Sequence, residues 1–179
     1  MSRAISFISA YKGMSIGSFR LLEIGAGNGV VGQELRRVGV GHLIGLDVSN
    51  IACEAAWRDR STVYDDYIVA DLDCLNEDMD RWLRKKIFNG LVAVASLGFA
   101  DVAASAFRRA LSFIQPKAFV AVTIKEDFLR GDDRTGFSQV FGDLRQNGFK
   151  QVFWERHIHR FSTSNEPIYY ITLVLTNLT

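Results

Sequence analysis

The sequence predicts an α/β protein: a three-layer α/β/α sandwich around a seven-stranded, mostly parallel sheet that ends in an antiparallel hairpin. Three observations lead there. Short β-type runs alternate with helical patterns, the signal of a parallel sheet with helices on both faces. Most of those runs are near-continuously apolar, as strands buried on both faces must be. The last two strand-like stretches are separated only by residues 162–166, too few for a crossover helix, so they must pair antiparallel.

In chain order, the predicted strands are Arg20–Ile24, Leu43–Val48, Tyr67–Ala70, Leu91–Ser96 and Phe119–Ile124. The hairpin strands are Phe149–Phe161 and Pro167–Thr176. Between them, apolar positions recur at helical spacing. Val31, Leu35 and Val38 share one face, and Ile51, Ala52, Ala55 and Ala56 share another with Ser49 placed as N-cap. Met79, Trp82 and Leu83 follow a cap at Asn76, and Ala103, Phe107, Ala110, Leu111 and Ile114 follow one at Asp101. Phe137, Val140, Phe141 and Leu144 form the last stripe, closed by Gly148. These stripes are read as core packing. With no repeat, low-complexity run or Pro-rich linker, residues 1–179 are expected to form one domain with a short N-terminal segment, 1–19.

Composition narrows the function. A formal net charge of +1 gives no whole-protein field for nucleic acid or an anionic membrane, so neither is expected as a partner. The pairs Arg36-Arg37 and Arg108-Arg109 and the triplet Arg84-Lys85-Lys86 read as solvated helix faces. The longest apolar run, Leu91 to Ala100, is about half of a membrane span, and Lys12 interrupts the N-terminal apolar patch before any cleavage-like site. Cys53 and Cys74 make neither a disulfide framework nor a zinc spacing. A reduced, cytoplasmic setting is the expectation.

The chemistry sits in Leu21 to Leu35, LLEIGAGNGVVGQEL, where a buried strand runs into a glycine-rich turn and then a helix. Glycine opens backbone angles closed to other residues and clears side chains from a ligand's path. The helix start offers free N–H groups. Two acids sharpen this reading. Asp47 ends the second strand, 22 positions after Gly25, where a carboxylate can accept from both hydroxyls of a ribose diol. Asp71 ends the third strand, where it can accept from an adenine amino group or from neighbouring backbone. Each acid also has a plainer reading, as a helix cap or a surface charge. Glu23, Gly25, Asp47, Asp71 and Ser96 all fall at the carboxyl ends of strands, where open α/β sheets bind ligands. Gly27 to Gly32 also spell GxGxxG, but the first glycine of a dinucleotide fingerprint belongs directly after the strand. Gly25 holds that place, so the match is two residues out of phase.

EIGAGNG resembles the ExGxGxG first motif of class I S-adenosylmethionine-dependent methyltransferases, LIGLDVS their second motif and VADL their third. The terminal hairpin is also characteristic of that Rossmann-like fold. The resemblance runs from about Phe19 to Thr176 and implies strand order 3-2-1-4-5-7-6. Three segments, VGHLIGLDVS, VYDDYIVADL and VASLGFADV, are similar to the methyltransferase-like family named after the Williams–Beuren syndrome region. The resemblance implies S-adenosylmethionine as cofactor, with S-adenosylhomocysteine as product. Glu23, Gly25, Ala26, Gly27, Asn28 and Gly29 would then line the methionine moiety and the turn under the sugar. Asp47 would hold the ribose with Val48 against the adenine, Asp71 and Leu72 would address the adenine edge, and Ser96 and Leu97 would lie near the donated methyl. The chain departs from the pattern at Phe88-Asn89, where Phe-Asp is usual, and at Pro116-Lys117-Ala118, where Pro-Gly-Gly is usual. Only about 19 residues precede the first strand, where related enzymes carry capping helices. The substrate is then incompletely enclosed unless a second subunit supplies cover, so a homodimer is entertained.

Methyl transfer from a sulfonium mainly needs a nucleophile placed and aligned, with a base only if the nucleophile must lose a proton. No catalytic residue is assigned. The loop after the fourth strand lacks an Asn/Asp-Pro-Pro-aromatic motif, which argues against amino-group methylation of adenine or glutamine by the familiar route. Candidates for substrate contact are Phe99, Lys125, Glu126 and Asp127, with His157 and His159 beside them; a solvated loop is the plainer reading of Lys125 to Asp127. His157 and His159 point to one strand face without an evident third ligand, so no metal is expected. The leading expectation is a methyltransferase acting on a small molecule. The alternatives are a non-catalytic cofactor- or partner-binding protein and, behind it, a nicotinamide-dependent oxidoreductase.

Overall fold

A computed structural model of the chain describes residues 1–98 and 101–177. Seven strands form one sheet: β1 (Arg20–Ile24), β2 (His42–Asp47), β3 (Asp66–Val69), β4 (Phe88–Val94), β5 (Ile114–Lys125), β6 (Lys150–Phe161) and β7 (Pro167–Thr176). Their order is β3-β2-β1-β4-β5-β7-β6, with β5-β7 and β7-β6 antiparallel and the other neighbours parallel. Helices α1 (Ser2–Lys12), α2 (Val30–Arg37), α3 (Asn50–Asp59), α4 (Glu77–Lys85), α5 (Ala104–Leu111) and α6 (Phe137–Gln146) complete the chain. The expected sheet order and closing hairpin are present.

Strand alternation divides the core in two. Leu22 and Ile24 of β1 face Leu83, Phe107 and Phe141 from α4, α5 and α6. Leu21 packs on the other side with Ile5 and Ile8 of α1, Leu35 of α2 and Ala56 of α3. Period-two geometry puts Glu23 on this second face, next to Leu21, where it is 1% exposed.

Four differences from the sequence expectations have physical causes. The N-terminal segment contains α1, whose Ala4, Ile5 and Ile8 are fully buried. It covers the sheet face beside α2 and stacks Phe7 against Tyr11 and Phe153, rather than closing over the sheet's carboxyl edge. β4 starts earlier, at Phe88, and ends at Val94, because Ala95 turns into the left-handed region at φ 54°. β5 starts at Ile114, so Ile114 pairs with Phe88 instead of continuing the helical stripe, and the register jumps before Gly90 pairs with Phe119. Pro116 lies within that irregularity, where no ladder N–H is required. Finally, Ala103 rather than Asp101 is the N-cap of α5, because Val102 is drawn into a bridge with Leu97. The other two expected caps are made: Ser49 accepts from Ala52 N–H and Asn76 from Met79 N–H. Among the described residues, no helix is long and apolar enough to cross a membrane.

Candidate functional site

β1 and β4 are neighbours, but the chain leaves β1 toward β2 and leaves β4 toward β5, so the loops after these strands diverge and open a cleft at the carboxyl edge. The first loop is the glycine turn. Gly25 and Gly27 sit at φ 63° and 55°, angles that glycine adopts without strain. At Gly27 a Cβ would meet nothing within 4 Å, so this peptide faces open space.

Both sides of the Gly27 peptide are held. Its N–H donates to Asp47 Oδ2 at 2.9 Å, and its carbonyl accepts from the Tyr67 hydroxyl at 2.6 Å. Asp47 Oδ1 accepts from the Ser49 N–H at 2.9 Å. The carboxylate at the end of β2 is thus aimed by one N–H from the glycine turn and one from the approach to α3. Since Ser49 caps α3, Asp47 is not that helix's cap. Each Asp47 oxygen retains acceptor capacity for a ligand.

The cleft is about 440 Å³, a size common among small-molecule sites. Of the residues singled out in the sequence, Gly25, Gly27, Asp47, Val48, Leu72 and Ser96 line it. Val48 is 69% exposed, an apolar surface beside the Asp47 carboxylate. Ser96 does more than line the wall. Its hydroxyl donates to the Ile24 carbonyl at 3.0 Å, and its Cβ would lie 2.3 Å from a Cβ on Gly25. Glycine at 25 is therefore what lets β4's exit close against β1's.

The other predicted contacts lie around the cleft rather than on its lining. Glu23 lies beneath the turn with Tyr64, and burial pushes its carboxyl up to about 8. Ala26 is buried and its N–H donates to the Leu46 carbonyl, pinning the turn to β2. Asn28 is exposed, with its carbonyl accepting from Arg60, and the Gly29 N–H donates to the Ala26 carbonyl. Asp71 is exposed and accepts from the Asp73 N–H, capping the 3₁₀ turn Leu72–Cys74. Leu97 is buried in the core on the α5 side. Phe99 lies outside the described residues.

Lys125, Glu126 and Asp127 share no lining residue with the cleft. They form a separate hollow of about 280 Å³ with Arg130, Arg156 and Tyr169. Their charges are largely spent on each other: Lys125 pairs with Asp127 at 2.8 Å, and Arg156 grips Glu126 through two bonds of 2.9 and 3.0 Å while lying over the Tyr169 ring. His157 and His159 lie on β6, the sheet's outer strand, and His159 rests 4.2 Å from the Tyr170 ring. Among the described residues, no group of three His, Cys, Asp or Glu side chains is placed to hold a metal.

Sequence reasoning missed several wall residues, including Ser49, Ala70, Ala95, Asp101 and Val102. Asp101 carries an exposed carboxylate with no hydrogen-bond or ion-pair partner among the described residues. Its reading as a helix cap hid it. As the acid on the loop after β4, it had a legible signal. Tyr64 and Tyr67, packed edge to face at 5.2 Å, support the glycine turn from below.

No family model and no curated protein matches the chain, whereas many solved structures share its fold. Magnesium protoporphyrin IX methyltransferase from Synechocystis PCC 6803, solved with bound S-adenosylmethionine, is 14% identical, with a TM-score of 0.65 over 98% of this chain and 79% of that one. An S-adenosylmethionine-dependent methyltransferase from Mesorhizobium loti is 16% identical, with a TM-score of 0.62 over 96% and 98% of the two chains. An N-methyltransferase from Bradyrhizobium japonicum, in complex with S-adenosylhomocysteine, is 13% identical, with a TM-score of 0.62 over 99% and 86%. The fold is that of class I S-adenosylmethionine-dependent methyltransferases. At these identities the likeness establishes the fold.

Proposed function

We propose that the chain is an S-adenosylmethionine-dependent methyltransferase acting on a small-molecule acceptor. One observation carries this reading: the Asp47 carboxylate is aimed at the cleft by the same Gly27 N–H that forms the cleft's floor. The residues present fit the nucleoside. Gly27 has free space above it, Asp47 has acceptor capacity for two hydroxyls, and Val48 offers a flat apolar contact for a base. The cofactor supplies a methyl group on a sulfonium, already activated for displacement. What this chain must supply is position: a turn held rigid at both sides of Gly27, and a wall that brings an acceptor into line. Asp101, the second carboxylate on that wall, is suited to hold a cationic acceptor or take up a released proton.

Lys125, Glu126 and Asp127 are retained as outer contacts for a polar substrate, since they stand at the end of β5, next to β4. Single alanine changes at all three that left turnover intact would remove them from this role. The narrower likeness to the Williams–Beuren methyltransferase-like family rests on three sequence segments alone. A single domain and a homodimer belong to the same proposal, and a sedimentation measurement tests the dimer.

The functional test is transfer of labelled methyl from S-adenosylmethionine to fractionated metabolite pools. A labelled small product supports the proposal. Binding of the cofactor without transfer to any pool would favour the non-catalytic reading, and binding of NAD in its place the oxidoreductase.

A further inference from the structure

Tyr64 occupies a socket made of missing side chains. A Cβ on Gly32 would stand 2.7 Å from the Tyr64 Cζ and hydroxyl oxygen, one on Gly45 3.0 Å from Cε1, and one on Gly29 3.2 Å from Cε2. Gly32 in α2 and Gly45 in β2 do not have positive φ, so these positions need glycine for space, not for backbone freedom. Three glycines, two at the start of α2 and one in β2, converge on one buried ring.

The socket delivers the hydroxyl to a defined place. The Tyr64 oxygen lies 3.1 Å from Glu23 Oε2 and 3.4 Å from the Ala26 carbonyl oxygen. That carbonyl also closes the glycine turn by accepting from the Gly29 N–H at 3.1 Å. A hydroxyl has one proton to give. If Glu23 is ionised, the Tyr64 proton goes to the carboxylate and the Ala26 carbonyl loses it. If Glu23 is protonated, its acid O–H donates to the Tyr64 oxygen and the Tyr64 proton is free for Ala26. The titratable groups facing the pair are Tyr67 and Asp47, with Cys53 beside Tyr67; the cation Arg60 flanks the socket at Gly29, where its guanidinium donates to Gln33 and to the Asn28 carbonyl rather than to Glu23. Burial favours the neutral carboxyl, which keeps its proton to about pH 8. Burial also pushes both tyrosine hydroxyls up, so each remains a donor.

We infer that Glu23 and Tyr64 are positioning residues of the glycine turn: a proton on Glu23 frees the Tyr64 hydroxyl to hold the Ala26 carbonyl, and its loss loosens the turn and weakens nucleoside binding. The binding half of this inference rests on the methyltransferase reading; the half concerning the turn does not.

The experiment has two parts that separate those halves. First, the ligand-free protein is titrated while amide NMR signals of Ala26, Gly27 and Gly29 are followed. In wild type they shift together with a midpoint near 8. Glu23→Gln, whose amide donates at every pH, and Tyr64→Phe, which keeps the ring in its socket, both abolish the shift. Second, S-adenosylhomocysteine is titrated on either side of that midpoint. Its Kd rises roughly tenfold on the alkaline side in wild type, stays flat in Glu23→Gln, and is weakened on both sides in Tyr64→Phe, the scale of one lost hydrogen bond. Turn amides that do not titrate, or that still titrate in either variant, overturn the inference. Should Glu23→Gln not fold, the wild-type midpoint and Tyr64→Phe decide. Turn amides that titrate as described in a protein that never binds S-adenosylhomocysteine uphold the role in the turn and fail the methyltransferase reading instead.

Discussion

Both Asp47 oxygens already accept a backbone N–H, so the orientation of this carboxylate is set by the chain itself. Asp47→Ala is expected to weaken S-adenosylhomocysteine binding by about 1–3 kcal/mol, the scale for buried groups left unpaired, as read by calorimetry. Ala95 holds φ 54° at the lip of the same cleft. A left-handed L-residue costs roughly 1–2 kcal/mol, so Ala95→Gly should raise the unfolding free energy by about 1 kcal/mol and Ala95→Val should lower it, as measured by urea denaturation. Glu23 gives a pH dependence with a definite sign. Its carboxyl moves from an ordinary 4.5 to about 8 in the folded protein. Between those values the folded chain holds a proton that the unfolded chain has released. Stability therefore falls as pH rises through that window and levels off above it. Subtracting the Glu23→Gln unfolding curve from that of wild type should isolate this slope. At this scale the sequence was legible where a residue's neighbours are near in the chain or fixed by a motif. The place of Asp47 beside the glycine turn was legible because strand ends and glycine turns have a known relation. The role of Tyr64 was not, because it depends on Gly45 of β2 meeting Gly29 and Gly32 at the start of α2 around one ring, a convergence that the glycine motif by itself does not show.

The segment before β1 carries the largest unforeseen element. In α1 the buried positions are Ala4, Ile5 and Ile8, a short stripe in a stretch otherwise of serine, aromatic and charged residues, so its periodicity is weak. Packing decides it: both isoleucines are fully buried on the sheet face that also holds Leu35 and Phe119. Ile8→Ala is expected to cost about 2–5 kcal/mol in denaturant unfolding while leaving cofactor affinity unchanged, because α1 packs away from the cleft. The ends of β4 and β5 were misplaced for a related reason. Apolar runs mark the middle of a buried strand, whereas its ends depend on cross-strand register, here the jump between Phe88 and Gly90. The α5 cap shows the same limit, since the Leu97–Val102 bridge is a contact that helical spacing cannot reveal.

For the whole molecule, topology was the most legible property. Alternation of strands and helices, and a final turn too short for a helix, are enough to require a parallel sheet closed by an antiparallel hairpin, and the motif resemblance supplied the order. That topology puts the ends of β1, β2 and β4 around one cleft, which is why residues distant in sequence meet there. The central claim is that Asp47 receives a ribose diol above Gly27, and the most direct measurement is a calorimetric titration of S-adenosylhomocysteine and its 2′-deoxy counterpart into the wild-type protein. The account predicts one saturable site for S-adenosylhomocysteine and at least about tenfold weaker binding of the deoxy compound. Equal affinities for the two, or no binding of either, would contradict it.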